Sequence, residues 1–598
     1  MKNIKISTSL LTIILVIFTS CSEKWLEPDP LSFYAPENAF VDAAGFESAL
    51  VTCKKEMNAD SHGDRAFHYL ATDIMYSDLA NSIEQPNFNK NTPSSVGGRS
   101  GLHNLFLRAY EYIKNTNIII SRIDQILWED QSMRDRMLSE AYFFRAYWYY
   151  RLVNTYGDIP WVGEELSGAK LDYYSTSRAA ILGQLQEDLE YAVEHLPVIP
   201  AKGGDVSKGA ANHFLAKIYL ANCEFDKAIA AATEVINGPY ALMMERFGID
   251  KGRSYYNLLW DLHRVENKNV AGNTETIYAT IDRANQAPET WWDLRGTFSM
   301  RHFSPSYWRV LDQTGNRATN WNTPSGDTLG SGDAAVRSCD FFIYDLWQDA
   351  TYKWYNTPDL RRADANWIEM GDSISEIITV RAGSPNFGQP INRKYLPNKK
   401  DTIELWFSWP HYKTFTPTPR TPYWVQPHGG QGDWYVFRLA ETYLLRAEAY
   451  WWKGQTGPAA EDINKVRARS KAPLIGAGEV TLDYIFDERA RELYMEEPRH
   501  SELVRISYQF AKLNLEGYSL ATITTSNWYY DRVMRVNTSY LPGHYIAPYT
   551  AEVAMLSPHH ILWPIPQNVI TANTMGRINQ NTGYDGAELN EPPLQEIP

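Results

Sequence analysis

The chain has 598 residues and a formal charge of −14, from 57 Lys+Arg against 71 Asp+Glu. With 36 Gly, 32 Pro, 44% hydrophobic and 21% charged residues, it reads as a folded globular chain, and collagenous, low-complexity and disordered classes are excluded. The acidic balance and the absence of a basic run remove the electrostatic footprint of a nucleic-acid binder, so the 20 Trp, 38 Tyr and 22 Phe, 13% of all residues, are what asks for explanation.

In chain order, the first twenty residues read as a secretory signal. Lys2 and Lys5 give the positive start and residues 10–18 the apolar stretch. The uncharged run over residues 6–20 is shorter than the ~20 residues that span a bilayer. Cys21 follows at the place where a bacterial lipoprotein carries its lipid, which makes its thiol the candidate lipidation site. Ordinary cleavage after Ser22 is the alternative. No later stretch is long and apolar enough to span. Cys53, Cys223 and Cys339 permit one disulfide at most, and no C-x-x-C or Cys/His ligand spacing occurs.

Helical periodicity dominates both ends. Leu138, Ala141, Phe144, Trp148 and Leu152 recur at three and four residues, one face of an amphipathic helix. Residues 210–236 read as a helical hairpin. Leu215, Ala216 and Tyr219 line its first helix, Cys223, Glu224 and Phe225 turn, and Ala228, Ala232 and Val235 line its second. Gly238 and Pro239 then stop it. The pairs Ala146/Tyr149, Ala216/Tyr219 and Ala447/Tyr450 each place a small residue one turn before a tyrosine, part of the tetratricopeptide pattern. The last pair is followed by Ala459, Ile463 and Val466 on a second helix. The middle, from residue 240 to about 433, is rich in Gly, Asn, Pro, Thr and Trp; residues 276–280 read there as a short strand and residues 319–326 as loop. Loops this long in a compact protein usually carry function.

Enzymatic constellations are missing: no G-x-S-x-G, no G-x-x-x-x-G-K and no H-E-x-x-H. Gly330 and Gly332 mimic a dinucleotide loop but follow polar loop rather than a buried strand. Glu488, Glu492 and Glu496 form a carboxylate stripe, whereas a glycosidase needs two carboxyls facing each other across a sugar. With Arg489, Arg491 and Arg499 nearby, a charge-laced structural helix is the better reading. His559/His560 and His62/His68 have no third ligand at recognisable spacing, so no metal and no cofactor are expected. Sugar binding asks for other residues: a pyranose packs its C–H face on an exposed ring, while polar side chains at the rim bond its hydroxyls. Trp291 and Trp292 with Asp293 and Arg295, and Trp321 between Asn320 and Asn322, fit that pattern. Trp148, Trp451 and Trp452, inside helical patterns, read as packing residues. Tyr307, Trp308, Trp347 and Trp354 are left unassigned.

Four blocks run in order along the chain. The first is Glu140-Ala-Tyr-Phe-Phe-Arg-Ala146, leading to Asn154-Thr-Tyr-Gly-Asp-Ile-Pro160. The second is Asp359-Leu-Arg-Arg362, and the third is Arg438-Leu-Ala-Glu-Thr-Tyr-Leu-Leu-Arg-Ala-Glu-Ala-Tyr450 with Asp462-Ile-Asn-Lys-Val-Arg-Ala-Arg469. Glu488-Arg-Ala-Arg-Glu-Leu493 with Glu497-Pro-Arg-His500 is the fourth, before a tail holding Pro564-Ile-Pro566 and Gln580-Asn-Thr-Gly-Tyr584. Together they resemble the SusD/RagB family of Bacteroidetes outer-membrane lipoproteins.

The resemblance implies a mainly α fold. Tetratricopeptide-like helix pairs would form a right-handed helical core, with a long loop-rich insertion carrying a few short strands. It places a signal peptide at 1–20 and one domain over 21–598, with 21–239 and 434–598 as helical core and 240–433 as the variable, loop-rich region. It further implies a non-catalytic, cell-surface lipoprotein of polysaccharide utilisation, anchored in the outer membrane at Cys21. Such a protein captures oligo- or polysaccharide for a SusC-like TonB-dependent transporter. In such proteins the glycan site draws on the middle loops and on a loop of the N-terminal third, which adds Phe88 and Arg99 to Trp291, Trp292, Arg295 and Trp321 as expected glycan contacts. A transporter lid for peptides or other nutrients without a glycan site is the alternative, and a glycoside hydrolase the remote one.

Overall fold

The computed structural model describes residues 36–60, 65–77, 87–90, 93, 101–283, 297–312, 314–319, 329–330, 332–371, 378–396, 405–417, 430–544 and 553–598. Helices of nine or more residues are numbered. The N-terminal block holds α1 (Ala43–Glu56), α2 (Gly101–Arg122), α3 (Gln131–Tyr156), α4 (Arg178–His195), α5 (Lys208–Ala221) and α6 (Phe225–Ile236). The C-terminal block holds α7 (Leu439–Trp452), α8 (Thr456–Arg469), α9 (Leu482–Leu493), α10 (Arg499–Leu513) and α11 (Trp528–Val536).

The starts are capped by side chains that the sequence supplies. Asp42, Asp130, Ser177, Ser207, Thr481 and Asn527 each accept backbone N–H bonds at the first turn of α1, α3, α4, α5, α9 and α11. Gly157, at φ 70°, ends α3. Consecutive helices pack on one another, α2 on α3, α3 on α4, α4 on α5 and α5 on α6. Then α6 packs on α7 and α7 on α8, so the two sequence blocks form one continuous helical layer. The hairpin expected over 210–236 is α5 and α6; Cys223 takes φ 63° in its turn, and Glu224 N–H donates to the Tyr219 carbonyl at 2.8 Å. Ala146, Ala216 and Ala447 are fully buried, and Tyr219 reaches from α5 to Glu190 on α4 at 2.9 Å. α3 is buried almost all round through its last five turns, because α10 packs on it as well as its sequence neighbours.

The short strands β1 (Met75–Ser77), β2 (Ile159–Pro160), β3 (Ser175–Thr176), β4 (Thr276–Thr280), β5 (Val336–Ser338) and β6 (Trp434–Arg438) form three antiparallel pairs: β1 with β5, β2 with β3, and β4 with β6. β4 is the strand read from the sequence. Its pairing of Thr276 with Arg438 and Thr280 with Trp434 clasps the two ends of the loop-rich region at the root of α7. Within that region Tyr307, Trp308, Val310, Ile368, Trp406 and Trp409 build a second apolar cluster. Cys53, Cys223 and Cys339 are free thiols. Among the described residues no helix is long and apolar enough to cross a membrane.

Candidate functional site: aromatic rings of the loop-rich face

Of the expected contacts, Arg99, Trp291, Trp292, Arg295 and Trp321 lie outside the described residues, as do Cys21 and His62. Phe88 lies within them and corrects the expectation. It opens a short turn whose N–H donates to the Met555 carbonyl at 3.0 Å. Its ring is 2% exposed and packs on Tyr540 at 6.5 Å and His560 at 5.7 Å. A ring so enclosed offers no face to a sugar; Phe88 is core. The helical tryptophans pack as expected: Trp148 is buried, and Trp452 stacks on Phe225 across the α6–α7 contact at 5.4 Å and 11°. Tyr307, Trp308 and Trp347, unassigned in the sequence, are core.

The carboxylate stripe is structural, but it faces the interior rather than solvent. Glu488 accepts from Arg361 at 2.8 Å, Arg467 at 2.7 Å and Arg491 at 3.0 Å. Glu492 pairs with Arg361 at 3.1 Å, Arg438 at 2.6 Å, and Arg469. Glu496 holds Arg438 at 2.8 Å and also Lys413. Burial alone would raise these carboxyls, yet the surrounding guanidinium groups hold Glu488 and Glu492 well below the usual carboxylate range. Burial pushes Lys413 down to about 8 despite Glu496. A glycosidase acid must be protonated and open to the sugar; these carboxylates are ionised, paired and sealed. Among the described residues no group of three or more His, Cys, Asp or Glu is placed to hold a metal ion. His559 and His560 pack ring to ring at 4.1 Å, and burial lowers both.

The narrow cavity between α3, α5, β6 and the turn before α10 is of another kind. It has about 30 Å³ of free space among Tyr150, Arg151, Lys217, Glu441 and Trp434, room for a water molecule but not a sugar.

Among the described residues of the loop-rich region, the rings of Tyr255, Tyr355 and Phe387 are about two-thirds exposed (65%, 69% and 66%). Tyr255 stands against Tyr256 at 5.3 Å and 69°, and Tyr256 stacks on Trp260 at 4.1 Å and 7°. Asn257 caps the helix Leu258–His263 and donates to the Leu360 carbonyl at 3.2 Å, which ties this stack to the Asp359–Arg362 motif. Tyr355 stands edge-on to Trp354. Phe387 sits in a turn whose next residue, Gly388, has φ 80°. Sequence reasoning missed these three because it weighed tryptophans. The signal was there in Tyr355, which follows Trp354 and precedes Asn356 and Pro358, a ring in a polar turn. Rings held on a framework with polar neighbours suit the apolar face and hydroxyl rim of a sugar.

Two sequence profiles match the chain, one described as the SusD family over residues 345–584 and one as starch-binding, associating with outer membrane, over residues 41–220. The chain belongs to the SusD family. SusD-like protein P25 of Formosa agariphila is 26% identical over 532 residues, 84% of this chain and 90% of the relative. SusD-like protein P2 of the same organism is 30% identical over 292 residues, 48% of this chain and 54% of the relative, so that match spans about half its length. Among solved structures, a SusD-like protein from Bacteroides fragilis superposes with a TM-score of 0.64 at 18% identity, covering 93% of this chain and all of that one (100%). A laminarin-binding SusD-like protein gives 0.57 at 20% identity, covering 90% and 99%. These likenesses establish the SusD-like, mainly helical fold. The family is one of non-catalytic, outer-membrane-associated glycan-binding proteins, in keeping with the sealed carboxylates.

Proposed function

We propose that this SusD-family chain is a cell-surface glycan-binding lipoprotein, held in the outer membrane by lipid on Cys21, that captures oligo- or polysaccharide and delivers it to a SusC-like TonB-dependent transporter. The observation that carries the reading is the match of both halves of the chain to family profiles, one of them described as starch-binding and associating with outer membrane. The exposed rings Tyr255, Tyr355 and Phe387 of the loop-rich region support it. So does the composition of the sequence stretches around Trp291, Trp292, Arg295 and Trp321, where polar residues flank large rings.

Calorimetry of the mature protein against a panel of polysaccharides tests the reading. Binding of at least one glycan is expected, weakened by Trp291→Ala or Trp321→Ala without unfolding. A folded protein that binds none of them, yet co-purifies with a large outer-membrane barrel, would instead be a transporter lid without a glycan site.

A further inference from the structure

We propose that the turn at residues 349–356 is a carbohydrate subsite, in which Tyr355 and Trp354 form an aromatic corner for one neutral pyranose ring. It rests on the glycan-binding reading above and locates a contact on residues other than Trp291, Trp292 and Trp321.

The corner has two walls. The ring of Tyr355 is 69% exposed and meets half-buried Trp354 at 5.4 Å between centroids and an interplanar angle of 89°. Trp354 is held by further neighbours. Tyr344 packs on it at 5.3 Å, and the Arg362 guanidinium lies 4.9 Å from its centroid and 4.2 Å from that of Trp367. Arg362 is itself buried and anchored to Glu369 at 2.5 Å. Its Nε and Nη2 have no hydrogen-bond partner among the described residues, so the two rings are its main remaining neighbours. An indole clamped by a buried cation has little freedom to turn.

The backbone is equally braced. The Asp349 carboxylate accepts the N–H groups of Thr351 and Tyr352, both at 2.7 Å, and Asn356 Oδ1 accepts that of Lys353 at 2.7 Å. Asp349 N–H donates to the Tyr352 carbonyl at 2.9 Å, and Asn356 N–H to the Lys353 carbonyl at 3.0 Å. Presenting the rings on a fixed turn removes most of the ordering entropy that binding would otherwise have to offset.

The occupant follows from the mixture of surfaces. One exposed ring beside a half-buried one is too small an apolar area to hold a hydrophobic helix or a lipid, but it matches the C–H face and edge of a single sugar. Thr351, Lys353 and Asn356 are exposed on the same turn and supply donors and acceptors for hydroxyls. The exposed carboxylates of Asp345 and Asp349 oppose an anionic glycan.

Affinity electrophoresis of the mature protein tests this, in native gels containing neutral polysaccharides, laminarin and starch among them. Retardation is expected with at least one, weakened about tenfold by Tyr355→Ala and restored by Tyr355→Phe, which keeps the ring. Thermal melting checks that Tyr355→Ala stays folded, as an exposed side chain should. If the wild type is retarded and Tyr355→Ala is retarded equally, the subsite is wrong while the glycan-binding reading stands. If the wild type runs free in every gel, both fall.

Discussion

Glu492 takes guanidinium groups from Arg361, Arg438 and Arg469, which arrive from the loop-rich region, the end of β6 and the end of α8. Each partner is buried, and although Arg361 keeps Asp359 and Glu488, Arg438 keeps Glu275 and Glu496, and Arg469 keeps Glu275, losing the carboxylate leaves three buried cations short of counter-charge. Glu492→Gln is expected to destabilise the protein by about 3–5 kcal/mol, read from urea unfolding. Phe88→Ala, which deletes a core ring, should cost about 3–5 kcal/mol in the same measurement and leave glycan affinity of the folded fraction unchanged. Glu56 behaves oppositely to Glu492. Burial pushes its carboxyl up to about 8, Asn115 works against this, and Glu111 adds to it. Its folded value therefore stands above its ordinary 4.5, so its contribution to stability is present below that pH and lost as pH rises through about 8. Glu56→Gln should stabilise the protein more at pH 8 than at pH 5, by roughly 3 kcal/mol, read as a larger rise in melting temperature. Equal shifts at both pH values would show that the carboxyl is not buried as described.

The helix pairs depend on small residues where axes approach. Ala447 of α7 is fully buried in one apolar cluster with Ala459, Ala460 and Ile463 of α8. Ala447→Leu should force the pair apart and cost about 1–3 kcal/mol by overpacking, visible as a lower melting temperature. These pairs were legible in the sequence because a helix face is local: Ala216 and Tyr219 lie one turn apart wherever the chain goes. β4 was legible for the same reason, but not its partner, since β6 lies more than a hundred residues on. The carboxylate stripe was legible as a stripe, while its burial was not. Charge at i and i+4 reads the same on a solvated helix as on one wrapped by arginines from three other segments.

Across the molecule, α6 against α7 joins the two halves that the loop-rich region separates in sequence, and β4 with β6 clasps the base of that region. The lipid anchor is the matching expectation at the N-terminus. Cys21→Ser should move the protein from the outer-membrane fraction to the soluble fraction, read by fractionation and immunoblot, because the acyl chains provide the hydrophobic attachment. Local spacing of small and aromatic residues was enough to give the helix pairs, and the ordered motif blocks were enough to point to the family. Which rings face water was settled only by the fold. Phe88 and Tyr355 both occur in polar stretches, yet Tyr540 and His560 close over the first and nothing among the described residues closes over the second. Exposure is a property of what distant chain folds over a residue, and no window of neighbouring sequence contains that information.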